Sequence, residues 1–393
     1  MNHPLLVITE LFLPTKGGTA VWFDEVYRRI GGKEIHVVTA AVPGSDEHDR
    51  DHPNSIHRLR LQRHPWLRPE SLAMYLKLLG SSLKLAFTQP VVAVHAGRVL
   101  VFFDPAVSAL IGWLVAVCRR VPLLIYAHGE EITTWTQPLK RRVMRFSYRR
   151  ADCIIANSRF TFDELCKLGV DPARIRTLFP GVDIERFRPG LPAADLRQSI
   201  GVGPGQPLLL SVGRLSRRKG FDQVIRALPA LIEAGFDPHY AIIGIGEEHD
   251  PLARLASELQ VRDRLHLLGH VPTDTLPRWY NGCELFVMPN REVDGDTEGF
   301  GMVFLEAAAC GRTAIAGLAG GTGDAVVDGE TGLRIDGAEL PALTAAIATL
   351  LEDATLRQQL ATQALSRARR DFSWHSVAQK TVQLLPNGRR NPE

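Results

Sequence analysis

The chain has 393 residues, 45% apolar and 23% charged, which marks an ordinary soluble globular protein long enough for two domains, each with its own core. Its five cysteines, Cys118, Cys153, Cys166, Cys283 and Cys310, are odd in number and lack metal-ligand spacing. They lie mostly in apolar surroundings and read as reduced core residues of a cytoplasmic protein. The net charge of +3 is unevenly placed, being +8 over residues 1 to 190 and −5 over the remainder, so the first half is expected to meet something acidic.

Met1-Asn2-His3-Pro4 leads straight into the apolar run Leu5 to Ile8 and then Glu10, so no signal peptide is expected and the first strand, Leu5 to Thr9, opens the chain. Phe12-Leu13-Pro14-Thr15-Lys16-Gly17-Gly18 is a glycine-rich loop before a helix from about Thr19 to Ile30. Such a loop is either a plain βα turn or a close approach of backbone to a donor pyrophosphate or an acceptor. Ile35 to Thr39 is a second strand, and the acidic stretch Pro43 to Pro53 is expected as a mobile surface loop.

Arg58, Arg60, Arg63 and Arg68 surround Leu59, Leu61 and Trp66, and a leucine-rich helix follows from Leu72 to Phe87 with Lys77 and Lys84. Basic residues beside exposed aromatics suit an anionic membrane surface. A second cluster, Lys140, Arg141, Arg142, Arg145, Arg149 and Arg150, lies on a helix from Leu139. Either cluster alone is equally a solvated basic face, and no nucleic-acid motif accompanies the charge. Val99 to Cys118 carries one charge, but Asp104-Pro105 divides it into a short strand and a helix start, which argues against a membrane span.

Leu123 to Ala127 is a strand ending at His128-Gly129-Glu130-Glu131, so His128 follows the carboxyl end of a strand, where open α/β sheets place their ligands. Cys153 to Ala156 and Arg176 to Phe179 are further strands; between them Ser158 caps a helix from Arg159 to Leu168. Proline and glycine are dense from Arg186 to Pro207, as in an interdomain linker.

Leu208 to Val212 is a buried strand followed by Gly213-Arg214-Leu215-Ser216-Arg217-Arg218-Lys219-Gly220 and a helix from Phe221. Two cations five residues apart, Arg214 and Lys219, can close on a pyrophosphate from different sides. Gly244-Ile245-Gly246 superficially matches a dinucleotide fingerprint, but His249 stands where the third glycine belongs. Leu265 to Leu268 is another strand, leading into Gly269-His270-Val271-Pro272. Asp294-Gly295-Asp296 is either a divalent-cation pair or, as favoured here, part of a solvated loop.

The most informative stretch runs from Pro289 to Gly311. The strand Leu285 to Met288 feeds a polar loop ending in Glu298-Gly299-Phe300-Gly301, and an apolar helix begins at once from Met302-Val303 to Ala309. Two glycines at a helix mouth leave unpaired N–H groups pointing outward, and with the helix dipole they favour an anion such as phosphate. If the helix ran through both Glu298 and Glu306, the two would project within about 80° of each other. Carboxylates accept hydrogen bonds from vicinal diols, so hydroxyls at both ends with phosphate between describe a nucleotide sugar. Alone, the stretch is equally an ordinary buried βα unit. After it come the strand Thr313 to Ala316, a flexible loop Ala319 to Asp324, helices Leu340 to Glu352 and Thr355 to Asp371, and a last helix from Phe372-Ser373-Trp374 to near Leu385.

The spacing Glu298-x7-Glu306, with Gly-Phe-Gly inside it, resembles the signature of retaining glycosyltransferases of family 4 (GT4). The likeness extends over most of the chain and is nearest to bacterial phosphatidylinositol-mannosyltransferases and polysaccharide-assembly enzymes. It implies an α/β chain of two Rossmann-like domains (GT-B) facing a central cleft: an acceptor-binding domain over 1–187, a nucleotide-sugar-binding domain over 188–371, a helix at 372–386 crossing back, and a disordered tail at 387–393. Arg214, Lys219, His128 and Glu298 inherit catalytic roles, the two cations on the leaving diphosphate and His128 beside the donor sugar. Gly17, Gly18, Val271, Glu298, Gly299, Phe300, Gly301, Met302, Val303 and Glu306 join Arg214 and Lys219 as donor-binding residues. In this reading Glu306 takes the ribose diol, Glu298 the sugar hydroxyls, and the backbone near Val271 edges the base. Gly323 and Asp324 depart from the family's proline and glutamate, which puts sugar contacts from that loop in doubt.

The expectation is therefore a retaining hexosyltransferase that needs no metal or other cofactor. It uses GDP-mannose or a UDP-hexose, acts on a glycolipid, lipid-linked or saccharide hydroxyl, and works in the cytoplasm with peripheral contact to anionic membrane. The alternatives are a nucleotide-sugar epimerase or hydrolase of the same fold, and a non-catalytic nucleotide-sugar-binding module.

Overall fold

The computed structural model describes residues 4–15, 17–61, 72–97, 107–134 and 138–384. Arg63, Trp66, Arg68, the strand expected before Asp104 and the tail from 387 lie outside the described residues. The chain divides into two compact units, Met1–Pro180 with Trp374–Glu393, and Gly181–Ser373.

The first unit alternates strand and helix: β1 (Leu5–Ile8), α1 (Gly18–Ile30), β2 (Ile35–Ala40), α2 (Ser45–Arg50), β3 (Ser55–Leu59), α3 (Leu72–Thr88) and β4 (Ala93–Ala96). It continues through α4 (Val107–Arg119), β5 (Leu123–Ala127), α5 (Glu130–Thr134), α6 (Pro138–Arg149), β6 (Cys153–Ala156), α7 (Arg159–Lys167) and β7 (Ile175–Thr177). The seven strands form one parallel sheet in the order 3-2-1-4-5-6-7. Every residue of β1 is fully buried, as a strand covered on both faces by crossover helices must be.

Two expectations for this unit are corrected. The acidic stretch from Pro43 is not a mobile loop: it carries α2, and Ser45 and His52 are buried. His48 Nε2 and His52 Nε2 lie 2.8 and 3.1 Å from Oδ1 of the buried Asp24 on α1, and Asp49 accepts a forked pair of hydrogen bonds from Arg58 at 2.8 Å each. Arg58, read as part of a basic cluster suited to an anionic membrane or equally to solvent, is instead committed to Asp49 and to the Leu13 and Ala40 carbonyls. The buried carboxylate is what organises the stretch, because burying a charge requires partners.

The second unit comprises α8 (Ala194–Ser199), β8 (Leu208–Val212), α9 (Phe221–Glu233), β9 (His239–Ile243), α10 (His249–Glu258), β10 (Leu265–Gly269), α11 (Leu276–Gly282) and β11 (Leu285–Met288). It ends with α12 (Met302–Ala309), β12 (Ala314–Gly317), α13 (Thr322–Ala325), β13 (Gly332–Ile335), α14 (Leu340–Glu352) and α15 (Ala354–Asp371). Its six parallel strands run 10-9-8-11-12-13.

The expected linker from Arg186 to Pro207 belongs to this unit. Its helix α8 packs on α11, and Arg197 bonds to Glu284 at 3.0 Å. The second compact unit begins at Gly181, and the Val182 N–H donates to the Phe372 carbonyl at 2.7 Å within it. The last helix, α16 (Trp374–Gln383), packs on α1 and is part of the first unit. Cys153, Cys283 and Cys310 are buried, whereas Cys118 is exposed.

Candidate functional site

In an open doubly wound sheet the ligand crevice lies outside the carboxyl ends of the strands where the order reverses. In the second unit that point lies between β8 and β11, which pair directly. The chain leaving β8 runs through Arg214 to a 3₁₀ turn at Arg217–Lys219, and the chain leaving β11 runs through Glu298 to the start of α12. The two meet at Glu298.

Lys219 Nζ donates to Glu298 Oε2, and Arg218 Nη1 reaches the same oxygen at 2.9 Å. Arg218 also pairs with Asp296 at 3.0 Å. Burial would by itself raise the Glu298 carboxyl, but Lys219 and then Arg218 overcome it and hold the group at about 2. Glu298 is fixed at its backbone as well. Its carbonyl accepts the Gly321 N–H at 2.8 Å, and a Cβ on Gly320, at φ +70°, would stand 2.1 Å from that carbonyl oxygen. The stretch from Ala319, expected as a flexible loop, is therefore packed: Thr322 is fully buried and donates to the Gly317 carbonyl at 2.6 Å.

Gly301 caps α12 at φ +89°, where a Cβ would collide with the Phe304 ring at 2.6 Å. The helix starts at Met302, as expected, so Glu298 is a loop residue and the condition under which the two glutamates would share a helix face is not met. Phe300, expected as a backbone contact, buries its ring against Phe372 at 6.1 Å and so anchors the loop between Gly299 and Gly301. Met302 and Val303 open the first turn, with their side chains half-buried.

Glu306 lies one turn into α12, half-buried, and its Oε2 accepts from the Tyr280 hydroxyl at 2.6 Å. Burial pushes its carboxyl up to about 7, against the smaller lowering effects of the Tyr280 hydroxyl and Arg186. Tyr280 and Arg186 were not legible as site neighbours, because they come from α11 and from the segment before α8.

Arg214 does not join Lys219 on Glu298. Its side chain is 75% exposed and turns to Glu247 at 3.1 Å. The second cation on Glu298 is Arg218, which the sequence displayed between Arg217 and Lys219 but which spacing alone did not single out. Val271 sits half-buried in the loop after β10.

In the first unit Gly17 is exposed at the mouth of α1 with open space about its α-carbon, and Gly18 begins the helix. Trp22 and Phe23 on that helix meet the His128 ring edge-on at 5.5 and 6.5 Å. His128 is 7% exposed at the carboxyl end of β5.

Among the described residues, one trio could hold a metal ion: Asp24, His48 and His52. His52 Nδ1 accepts the Asn54 N–H at 3.1 Å, which leaves the proton on Nε2, pointing at Asp24. In that tautomer His52 is a donor rather than a ligand, and Arg28 faces the other Asp24 oxygen at 3.4 Å. The trio is a hydrogen-bonded brace between α1 and the α2 stretch.

The family model for glycosyl transferases group 1 matches residues 193–367, and that for Glycosyltransferase Family 4 matches residues 16–186. The GDP-mannose-dependent alpha-(1-6)-phosphatidylinositol monomannoside mannosyltransferase of Mycolicibacterium smegmatis is 30% identical over 390 residues, covering 98% of this chain and 99% of the relative. The D-inositol 3-phosphate glycosyltransferase 2 of Catenulispora acidiphila is 30% identical, covering 94% and 89%. Among solved structures, Anabaena HepE in complex with UDP and glucose superposes with a TM-score of 0.82 at 20% identity, covering 98% of this chain and all of that one. Sucrose-phosphate synthase from Thermosynechococcus elongatus gives 0.81 at 20% identity, covering 98% of each. With a parallel α/β sheet in each unit and these likenesses along its whole length, the chain belongs to the family 4 glycosyltransferases and has their GT-B fold.

Proposed function

We propose that this glycosyltransferase is a retaining, metal-independent hexosyltransferase that takes its sugar from a nucleotide diphosphate and passes it to a lipid-linked or saccharide hydroxyl. One observation carries the reading: at the switch point of the second sheet, Glu298 is held ionised by Lys219 and Arg218 beside the open amino-terminal end of α12.

An ionised carboxylate accepts hydrogen bonds from sugar hydroxyls, and the N–H groups of Phe300, Gly301 and Met302 with the helix dipole receive the diphosphate. Glu306, when ionised, accepts the ribose diol. Lys219 and Arg214 stabilise the charge that grows on the departing diphosphate, which favours the transition state over bound substrate. Arg214 is available for this, because an exposed pair such as Arg214–Glu247 contributes under about 1 kcal/mol. In a front-face displacement the leaving phosphate takes the acceptor's proton, and the new bond forms on the face the diphosphate leaves. Metal independence is supported by the cations already present and by Arg218, which neutralises Asp296 of the candidate metal pair.

The Mycolicibacterium relative is named for GDP-mannose and for a phosphatidylinositol mannoside, which makes GDP-mannose the first donor to try, ahead of a UDP-hexose. A lipid acceptor fits the outward stripe of α3, where Leu72, Leu76 and Phe87 are exposed among Lys77 and Lys84. Among the described residues no helix is long and apolar enough to cross a membrane.

A thermal-shift screen across GDP-, UDP- and ADP-sugars, followed by transfer assays with and without acceptor, tests the reading. Stabilisation by one donor family and acceptor-dependent turnover that survives excess chelator is expected. Turnover without acceptor beyond slow leakage would instead make the protein a hydrolase or epimerase, and donor binding with no turnover a binding module. Loss of activity to chelator, restored by added cation, would overturn metal independence.

A further inference from the structure

We infer that Glu131 and Tyr148 are positioning residues for His128, fixing its main chain so that the imidazole is presented at the carboxyl edge of the first sheet. The inference rests on the reading of His128 as a residue that meets the reacting sugar.

Glu131 is 1% exposed, an unusual place for a carboxylate near the surface end of a strand. It does not point outward from α5. Its Oε1 folds back to accept the main-chain N–H of His128 at 2.8 Å and the hydroxyl of buried Tyr148 at 2.9 Å. The other side of the same residue is held too: Asn157 Nδ2 donates to the His128 carbonyl at 3.1 Å. Asn157 is itself oriented by Thr161, whose hydroxyl donates to Asn157 Oδ1 at 2.6 Å.

His128 is thus held at both peptide groups by two side chains, Glu131 from α5 and Asn157 from just before α7, with Tyr148 on α6 bracing Glu131, while Trp22 and Phe23 close on its ring. Strand pairing stops at Ala127, so the sheet does not hold His128; these side-chain bonds replace the ladder where it ends. A misplacement on the order of 1 Å at a reacting centre can cost about 100-fold in rate, so a buried carboxylate that fixes a main-chain position has a kinetic consequence without touching substrate. Tyr148 stands on α6, whose outer face carries Arg141, Arg142 and Arg149, so the bond also ties His128 to the basic helix.

The test is a kinetic double-mutant cycle on the full chain with the donor found in the screen. Glu131→Ala should lower kcat by about 10-fold or more with the donor KM little changed, and Tyr148→Phe by about 3-fold. Glu131→Gln, whose amide oxygen can still accept the His128 N–H, should restore most of the activity. In a His128→Ala background both substitutions should have no further effect. Effects that multiply in that background, or full activity in Glu131→Ala, would overturn the inference. If Glu131→Ala fails to fold, full activity in Tyr148→Phe overturns it instead. Near-normal activity of His128→Ala would refute the role given to His128 itself, an outcome separate from loss in His128→Ala with normal Glu131→Ala.

Discussion

Glu298 and Glu306 stand eight residues apart on either side of one helix mouth, yet their surroundings drive them in opposite directions. Both are partly buried, which raises a carboxyl group; Glu298 faces two cations and is held at about 2, whereas Glu306 faces a hydroxyl and is pushed up to about 7. One carboxylate is a permanent anion at any physiological pH, and the other changes charge within that range. The contrast matches two tasks. On the proposed reading Glu298 meets the sugar hydroxyls as a fixed anion, and Glu306 accepts the ribose diol once it is ionised.

The comparison is broken most severely by removing the cation that separates the two environments. Lys219→Ala strips Glu298 of its first partner and, on the proposed reading, the diphosphate of a stabilising charge. Turnover should fall by roughly 1,000-fold, the upper end for one preorganised donor. The fold should lose on the order of 3 kcal/mol, as when one member of a buried ion pair is deleted. Denaturant midpoints and single-turnover rates read the two effects, and Glu298→Gln in the same background should recover much of the stability but none of the rate. Arg214→Ala should cost about 100-fold in turnover with an unchanged melting temperature, because its exposed pair with Glu247 supports little of the fold. Near-normal activity in that variant would remove Arg214 from the mechanism.

The pH dependence sharpens the contrast at a smaller scale. Glu306 has a folded value above the ordinary 4.5, so its contribution to stability is full below 4.5 and is lost as pH rises through about 7. Glu298 lies below 4.5, so its contribution is full above 4.5 and is lost as pH falls toward about 2. Donor affinity by calorimetry should increase as pH rises through about 7 while Glu306 ionises, and Glu306→Gln should flatten that profile with roughly a 10-fold loss of affinity at high pH. The smallest effect is expected from Tyr280→Phe. Without the hydroxyl that lowers Glu306, the midpoint of the same profile should move upward, with about 1 kcal/mol of stability lost. An unmoved midpoint would separate Tyr280 from the donor site.

What could be read from the sequence is what is local. The run Leu285 to Met288, the glycines before Met302 and the apolar helix to Ala309 are consecutive signals, and they gave β11, the loop and α12 with their bounds. Two domains were expected from length, and the pair of Rossmann-like sheets was what the family resemblance implied rather than something the apolar runs showed. The edge strand Ser55–Leu59 was missed because it is only half-buried, so its residues lack the continuous apolar run of inner strands. Ala93–Ala96 was missed because a four-residue strand with only Ala93, Val94 and Ala96 around His95 gives little pattern. The stretch around α2 looked like a solvated loop because the buried Asp24 that organises it stands more than twenty residues earlier on another helix. Arg218 was overlooked for the same kind of reason: which of three successive cations faces Glu298 is set by the 3₁₀ turn, not by spacing. Arg214 and Lys219 were paired by sequence distance, and the fold sends them to different acids.

The most direct test is a crystal structure of the protein with the donor, or its unreactive analogue, bound. The diphosphate should lie on the N–H groups of Gly301 and Met302, with hexose hydroxyls on Glu298 and the ribose diol on Glu306. A nucleotide bound away from the α12 mouth, with Glu298 still closed on Lys219 and Arg218, would contradict the account.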